Sequence, residues 1–226
     1  MNASDLPLML FAAGFGTRMG ALTADRPKPM VPVSGRPLID HAVSLAHAAG
    51  IRRVVANTHY KAEILAPHLA DLGVVESREE PRILDTGGGL KHARPLLGRG
   101  PVFTLNSDAV FRGPNPLTTL ADHWRDGMAA LLLVVPLDRA HGRDAPGDFA
   151  LTDGTLARGG AMVFTGAQII DPSILESHAD PVFSLSEVWT DLALAGALHG
   201  VVHDGDWADV GHPDGIARAE ALIADV

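Results

Sequence analysis

Short apolar runs alternate with segments of helical periodicity from the N-terminus as far as Pro136. In the helical segments, apolar residues recur every three or four positions; in one of them Pro37 suits the first turn and Gly50 ends the pattern. The pattern predicts strands over 8–12, 53–57, 73–76, 102–106 and 129–135, and helices over 37–49, 61–69, 88–97 and 117–125. This alternation favours an α/β fold, in which helices cover both faces of a mostly parallel sheet.

The pattern changes after Pro136, where the first three strand signals follow one another without helices between them. Asp153-Gly154, a dipeptide typical of tight hairpin turns, separates the first two of these strands. The predicted strands are 147–151, 155–158, 161–165 and 201–203, and the predicted helices are 184–195 and 213–223. We therefore predict a single domain over 1–226, with a hairpin inserted at about 140–160 beside the ligand cleft.

The composition of the 226 residues excludes several classes of protein. Apolar residues make up 46%, which is too many for a disordered chain. The formal net charge of −9 leaves no basic excess to neutralise nucleic-acid phosphates. Cysteine is absent, so disulfides, thiolate metal sites and a cysteine nucleophile are excluded. No apolar run reaches the ~18–20 residues of a membrane span, and residues 1–7 lack a basic leader pattern, so we expect a cytoplasmic protein without nucleic-acid or membrane partners.

A glycine-containing loop follows the first predicted strand, at the position where open α/β sheets bind their ligands. Residues 12–20 have the sequence AAGFGTRMG, and glycine lets a backbone approach a phosphate closely. The dinucleotide fingerprint G-x-G-x-x-G does not fit, because Met19 stands where the third glycine belongs. The P-loop does not fit either, because Gly14 is not followed by a glycine–lysine pair at the required spacing. A phosphate site and a plain tight turn both remain compatible with the loop.

Lys28 lies between two prolines in the segment RPKPMVPV of residues 26–33. Proline fixes its own φ and biases the preceding residue away from helix, so stiff, extended backbone is predicted at Lys28. Together with Arg18 of the glycine loop, Lys28 supplies a pair of cations. Asp108 follows the predicted strand 102–106, at the carboxyl edge of the sheet where ligands bind. The alternative interpretations are solvated surface charges for the cations and a turn-forming role for Asp108.

Five motifs, in this order, resemble those of the sugar-1-phosphate nucleotidylyltransferase family: the segment 10–39, DTGGG at 85–89, NSD at 106–108, FTG at 164–166 and WADVG at 207–211. The first motif is the most specific. Departures at Gly20, Ser107 and His212 remove no charged group that the chemistry needs. The resemblance implies a three-layer α/β/α Rossmann-like nucleotidyltransferase fold. It also implies an enzyme that joins a sugar 1-phosphate to an NTP, releases pyrophosphate and requires Mg²⁺.

The resemblance and the chemistry that it implies assign roles to individual residues. Arg18, Lys28 and Asp108 are expected to be catalytic, and Asp108 and Asp209 to bind Mg²⁺. The expected nucleotide-binding residues are Ala12, Ala13, Gly14, Gly16, Thr17, Gly87 and Gly88. The expected sugar-binding residues are Asn106, Asp148 and Gly166.

Within the family, this short chain is most similar to enzymes that use UTP and N-acetylmuramate 1-phosphate in cell-wall recycling. Mannose-1-phosphate guanylyltransferases and glucose-1-phosphate nucleotidylyltransferases are the alternatives. A non-catalytic regulator that binds nucleotide sugars is a third possibility, against which the retained charged residues argue. A metal-dependent glycosyltransferase is disfavoured, because Asn106-Ser107-Asp108 lacks the first carboxylate of a D-x-D motif. We expect a monomer or a weak homodimer.

Overall fold

A computed structural model describes residues 2–143 and 146–224. Its strands are β1 (Leu8–Phe11), β2 (Pro32–Val33), β3 (Arg36–Pro37), β4 (Val54–Thr58), β5 (Val75–Arg78), β6 (Val102–Asn106), β7 (Ala109–Arg112), β8 (Ala130–Pro136), β9 (Ala140–His141), β10 (Phe149–Thr152), β11 (Thr155–Arg158), β12 (Met162–Ile170), β13 (Leu198–Val202) and β14 (Asp206–Asp209). Its helices are α1 (Leu38–Ala48), α2 (Ala62–Asp71), α3 (Asp85–Leu97), α4 (Pro116–His123), α5 (Leu185–Leu194) and α6 (Pro213–Ala224). No described helix is long and apolar enough to cross a membrane.

The central sheet contains nine strands in the order β10-β11-β13-β8-β12-β6-β1-β4-β5. The four strands at one side, β6-β1-β4-β5, are parallel: Met9 of β1 is in register with Val55 of β4 and with Thr104 of β6. Of the strands in the described part of the chain that join this sheet, only β11 and β12 run against the others. The predicted mostly parallel sheet is therefore confirmed.

Strand β1 separates two hydrophobic layers, because successive side chains of a strand point to opposite faces. Leu8 and Leu10 belong to the core beneath α1, α2 and α4, whereas Met9 belongs to the core beneath α3 and α5. All three side chains are fully buried. Helices thus cover both faces of the sheet, and the chain has the three-layer α/β/α arrangement that the resemblance implies.

A second, smaller sheet begins directly after β6 and contains β7, β14 and β9. A third hydrophobic cluster, which includes Met19, Val31, Val210 and Leu222, packs the 17–31 segment against this sheet and α6. Neither β7 nor β14 was predicted from the sequence, because each finds its partner strand only in the folded chain, where Trp207 pairs with Phe111. These two strands carry much of the candidate site.

The predicted hairpin is present as β10 and β11, joined by Asp153 and Gly154. It belongs to the central sheet, since Thr155 pairs with His199 of β13. Residues 144–145 of the expected insertion at about 140–160 lie outside the described residues, and the single-domain extent stays a prediction. Strand β12 continues beyond the predicted end at 165, because Gly166, with φ +83°, lies in an interruption of the register rather than ending the strand.

Candidate active site

The carboxyl ends of β1 and β6 open into a cleft. The Oγ of Ser107 donates to the carbonyl oxygen of Phe11 at 2.8 Å, which ties the end of one strand to the end of the other. Asp108, the next residue, lines three cavities of this cleft, each of about 230–240 Å³. The loops that follow neighbouring parallel strands therefore converge on one carboxylate, as expected for a ligand site in an open α/β sheet.

The glycine loop forms the wall of two of these cavities, through Ala12, Ala13, Gly14, Gly16 and Thr17. Gly16 has φ +63° and precedes the 3-10 turn Thr17–Thr23, whose N-terminus no described side chain caps. Such an end offers backbone N–H donors to an anion. A Cβ at Gly16 would lie 2.9 Å from the Cβ of Lys28, so the absence of a side chain lets the lysine approach the loop.

The start of this loop is fixed by a buried polar network. The N–H of Ala12 donates to Oδ1 of Asn57 at 2.7 Å, and Nδ2 of Asn57 donates to Oε1 of Glu79 at 2.7 Å. The other oxygen of Glu79 accepts from the N–H of Leu84 at 2.7 Å. The network holds the end of β1, the end of β4 and the segment before α3 in one arrangement. It also commits the Ala12 N–H to the protein, so the expected contact of Ala12 with a nucleotide does not involve this donor.

Lys28 forms an ion pair with Asp108, and its side chain is only 13% exposed. The backbone differs from the prediction, because Pro27 and Val31 are extended but Lys28 itself is not. Lys28 begins a 3-10 turn, closed by a hydrogen bond from the Val31 N–H to the Lys28 carbonyl at 3.0 Å. Pro29 is tolerated in the first positions of this turn, where its missing N–H leaves no bond unmade. The turn holds the lysine beside the glycine loop.

Asp209 reaches Asp108 through the small sheet. Strands β14 and β7 are antiparallel, Asp209 pairs with Ala109, and the N–H of Val210 donates to the carbonyl of Asp108 at 3.1 Å. Burial and then the charge of Asp108 raise the pKa of the Asp209 carboxyl, and the cations Lys28, Arg18 and Arg143 oppose this shift. The structure therefore brings together two carboxylates that are distant in the sequence.

Arg18 is the second cation of the cleft. A Cβ built on Gly211 would lie 3.1 Å from Nη2 of Arg18 and 2.8 Å from Oδ2 of Asp209, so both groups crowd the same glycine. Nη1 of Arg18 lies 3.4 Å from Nε2 of His212. Arg18 lines both the cavity of the glycine loop and the cavity that contains Asp209. Its positive charge is therefore available at the junction of the two.

Asp108 and Asp209 are the residues that could hold a divalent metal ion. The charge of Asp108 raises the pKa of Asp209, and a cation bound between the two carboxylates would relieve that repulsion. Mg²⁺ is commonly bound by one or two carboxylates together with substrate phosphates and water. Within residues 2–143 and 146–224, no group of three or more His, Asp or Glu side chains is arranged to hold a metal. The pair fits a Mg²⁺ ion that a phosphate ligand helps to coordinate.

Gly87 and Gly88, the expected nucleotide contacts, have backbone N–H groups that are bonded within the protein. Both N–H groups donate to the carbonyl of Phe183, at 3.0 and 3.1 Å. A Cβ at Gly87 would lie 2.3 Å from Cε2 of Phe183, and one at Gly88 would lie 2.1 Å from the carbonyl oxygen of Pro181. These glycines let α3 pack closely against the 181–183 segment, and both are buried. Thr86, just before them, lines the cleft instead.

The predicted sugar-binding residues line the third cavity, of about 240 Å³: Asn106, Asp148 and Gly166. A Cβ at Gly166 would lie 2.9 Å from the side chain of Asn106, so the glycine makes room for the amide. Asp148 is committed within the protein, because it pairs with Arg143 and accepts from the N–H of Phe164 at 2.9 Å. Its carboxylate therefore braces the cavity wall rather than standing free.

A profile of the family described as nucleotidyl transferase matches residues 8–142, which contain the glycine loop, Lys28 and Asp108. The chain belongs to the nucleotidyl transferase family. The resemblance observed in the sequence is thus confirmed, and it extends to relatives that match the chain from end to end.

The chain is 36% identical to N-acetylmuramate alpha-1-phosphate uridylyltransferase of Caulobacter vibrioides, in an alignment that covers 96% of both proteins. It is 29% identical to mannose-1-phosphate guanyltransferase of Gibberella zeae, over 91% of this chain and 60% of that protein. Among solved structures, HddC from Yersinia pseudotuberculosis complexed with GMP-PN superposes with a TM-score of 0.79 at 20% identity, over 96% of this chain and 99% of the other. The similarity to HddC confirms the fold of this chain.

Several residues of the cleft were not predicted from the sequence. The third cavity is also lined by Arg143, Arg158 and Trp189, and the second by Asn57. A signal existed for two of them: Asn57 ends a predicted strand, and Arg158 ends another beside the hairpin. Arg143 and Trp189 belong to segments whose pairing with the cleft depends on the tertiary fold alone.

Proposed function

We propose that this chain is a sugar-1-phosphate nucleotidylyltransferase, which joins an NTP and a sugar 1-phosphate into an NDP-sugar and releases pyrophosphate. One observation carries the proposal: Arg18, Lys28, Asp108 and Asp209, from four separate segments, meet in one cleft at the carboxyl edge of the sheet. Two cations and two carboxylates at a phosphate-sized cavity suit the transfer of a nucleotidyl group between phosphates.

The chemistry demands positioning and charge stabilisation rather than a general base. An oxygen of the sugar phosphate, already an anion, attacks the α-phosphorus of the NTP; a new P–O bond forms there as the bond to the β-phosphate oxygen breaks. Pyrophosphate leaves with the electron pair of that bond. The barrier arises largely from bringing one anion to another, so groups that neutralise charge at fixed positions lower it.

Each cation has a distinct proposed task. Lys28, which the turn of residues 28–30 fixes beside Gly16, neutralises charge on the α-phosphate or on the incoming sugar phosphate. Arg18 stabilises the leaving pyrophosphate, with N–H groups of the loop after Gly14 as further donors. The small sheet and the third hydrophobic cluster keep both cations close to the carboxylates.

We infer that Asp108 and Asp209 hold Mg²⁺ when substrate is bound. The ion supplies positive charge and Lewis acidity at the phosphate oxygens. Without the ion, burial and the neighbouring Asp108 raise the pKa of Asp209. Such a shift is expected where two carboxylates lie close together and a cation would balance their charge. Ionised carboxylates are the form that binds the metal, so its affinity should fall as the pH drops into the range where Asp209 is protonated.

The nucleotide and the sugar that we propose are UTP and N-acetylmuramate 1-phosphate. The support is the relative of that name, which matches 96% of this chain at 36% identity. The nucleobase would lie towards Ala13, Asn57 and Thr86, and the sugar towards Asn106 and Gly166. We also propose a cytoplasmic location, and the net charge of −9 disfavours nucleic acid as a partner.

Pyrophosphate release tests the proposal. UTP, GTP, dTTP, CTP and ATP would each be supplied with Mg²⁺ and with N-acetylmuramate 1-phosphate, glucose 1-phosphate or mannose 1-phosphate. We expect the fastest release from UTP with the muramate sugar. Release from another pair would preserve the reaction class and overturn the substrates. A folded protein that binds nucleotide but releases no pyrophosphate from any pair would overturn the reaction and favour a nucleotide-sugar-binding regulator.

A further inference from the structure

The third cavity contains an arginine that the proposed chemistry does not use. Arg158, at the end of β11, lines this cavity together with Arg18, Asp108 and Asp209. Its guanidinium lies over the ring of Phe149, with 4.8 Å between Cζ and the ring centroid. The groups that handle phosphate and this additional cation therefore face the same space.

Arg158 differs from the neighbouring Arg143 in its partners. Arg143 pairs with Asp148, whereas Arg158 makes no ion pair with any residue that the structure describes. Its hydrogen bonds go to neutral acceptors: Nη2 donates to Oγ of Ser186 at 2.8 Å and to Oγ1 of Thr190 at 3.0 Å, and Nε donates to the same Thr190 oxygen at 3.1 Å. These bonds orient the guanidinium without neutralising it.

The orientation leaves one guanidinium nitrogen for a ligand. Nε and Nη2 make the bonds to α5, and no acceptor for Nη1 is found among residues 2–143 and 146–224. Arg158 is an exposed residue that lines the third cavity, where a ligand can reach it. Partial burial lowers the pKa of Arg158, and the charge of Asp148 opposes that shift. A cation without a counter-ion among the described residues is stabilised by an anion that arrives with the substrate.

Aromatic rings around Arg158 restrict what that anion is attached to. The ring of Trp189 contacts both Phe149 and Phe164, with ring centroids of Phe164 and Trp189 4.6 Å apart. Phe149 is fully buried, whereas Phe164 and Trp189 are half-buried and line the cavity, where their rings suit the apolar surface of a sugar. Lys28 is proposed to meet the C1 phosphate of the sugar and Arg18 the pyrophosphate, so a further cation in the sugar cavity is matched by a second acidic group.

We propose that Arg158 binds a carboxylate carried by the sugar ring and thereby selects acidic sugar 1-phosphates over neutral ones. This inference rests on the proposed function. N-acetylmuramate fits it, because its lactyl ether places a carboxylate on the ring, whereas N-acetylglucosamine is the same sugar without that group. Arginine suits the role because its planar guanidinium stays charged and matches carboxylate geometry.

The competing explanation is structural, because the bonds to Ser186 and Thr190 also brace β11 against α5. The two roles predict different ligand dependence. A brace affects every sugar ligand alike, whereas a carboxylate contact affects only the acidic one.

Calorimetric measurement of the binding of two product-like ligands distinguishes the structural role from the carboxylate contact. UDP-N-acetylmuramate and UDP-N-acetylglucosamine differ only in the lactyl ether, and they bind without a second substrate. We expect the wild type to bind the acidic ligand at least about tenfold more tightly, as one charge-assisted hydrogen bond would give. Arg158→Gln should lose that preference while its affinity for the neutral ligand stays within about twofold of wild type. Arg158→Lys should retain part of the preference.

Arg36→Gln is the matched control, because Arg36 is exposed and bonds to Ser44 on α1. It should bind both ligands as the wild type does. Equal losses for both ligands in a folded Arg158→Gln protein, or no preference in the wild type, would overturn the inference while pyrophosphate release still supports the proposed function. Binding of neither ligand by the folded wild type would overturn the inference and the uridine assignment together.

Discussion

Replacing Lys28 by glutamine removes the positive charge nearest to Asp108 and leaves a side chain of similar length. The lysine side chain is 13% exposed, so its charge acts in an environment far less polarisable than water. At an effective dielectric constant of about 20, two unit charges ~4 Å apart interact by about 4 kcal/mol. Loss of most of that stabilisation at the transition state, about 3–4 kcal/mol, corresponds to a fall in kcat/KM of about 10²–10³-fold.

The assay is the initial rate of pyrophosphate release at varied NTP and sugar 1-phosphate, with melting temperature as a check of folding. Arg26→Gln is the matched control, because Arg26 is a cation of the same segment whose side chain is exposed and pairs with Asp25. It should leave kcat/KM unchanged. A Lys28→Gln enzyme that stays within about threefold of wild type would refute the role of the lysine, since threefold is less than 1 kcal/mol.

Three further changes probe other parts of the account. Asp209→Asn should abolish Mg²⁺-dependent turnover yet raise the melting temperature of the metal-free protein at neutral pH. The reason is that the pKa of Asp209 is raised in the folded state, so its ionised form costs stability at neutral pH. The gain in melting temperature should vanish at acidic pH, where the wild-type carboxyl is protonated. Gly87→Ala should lower stability by about 1–3 kcal/mol through the clash with Phe183, whereas Gly14→Ala, with open space at its Cβ, should not; thermal unfolding of both decides this. Asn57→Ala should raise the KM for NTP, because the buried Ala12 N–H loses its acceptor; an unchanged KM would remove the network from the site.

The sequence predicted the elements of the central layer because their hydrophobic periodicity is strong. Strands such as β6 and β8 are short apolar runs, and α1 has a regular buried face ended by Gly50. Each of these elements appears with ends shifted by a few residues, which is the usual uncertainty of local signals. The small sheet was missed because β7 and β14 acquire their partners only in the folded chain.

The residues of the candidate site also fall into those that the sequence could predict and those that it could not. Residues that follow a strand directly, such as Asp108, could be predicted because the position of a ligand edge follows from the topology. The approach of Asp209 to Asp108 depends on antiparallel pairing across the small sheet, which no local pattern encodes. The expected nucleotide contact of Gly87 and Gly88 stays a prediction, because a packing glycine and a ligand-contacting glycine look identical in sequence.

The most direct test of the central claim follows the fate of the α-phosphate of the NTP. UTP labelled with radioactive phosphorus at that position would be incubated with N-acetylmuramate 1-phosphate and Mg²⁺, with wild type and with Asp108→Asn in parallel. We predict that the wild type transfers the label to a UDP-sugar and releases unlabelled pyrophosphate, and that Asp108→Asn loses most of this transfer. Label that stays in UTP or appears only in UMP with the folded wild type, or transfer that persists unchanged without the carboxylate, would contradict the account.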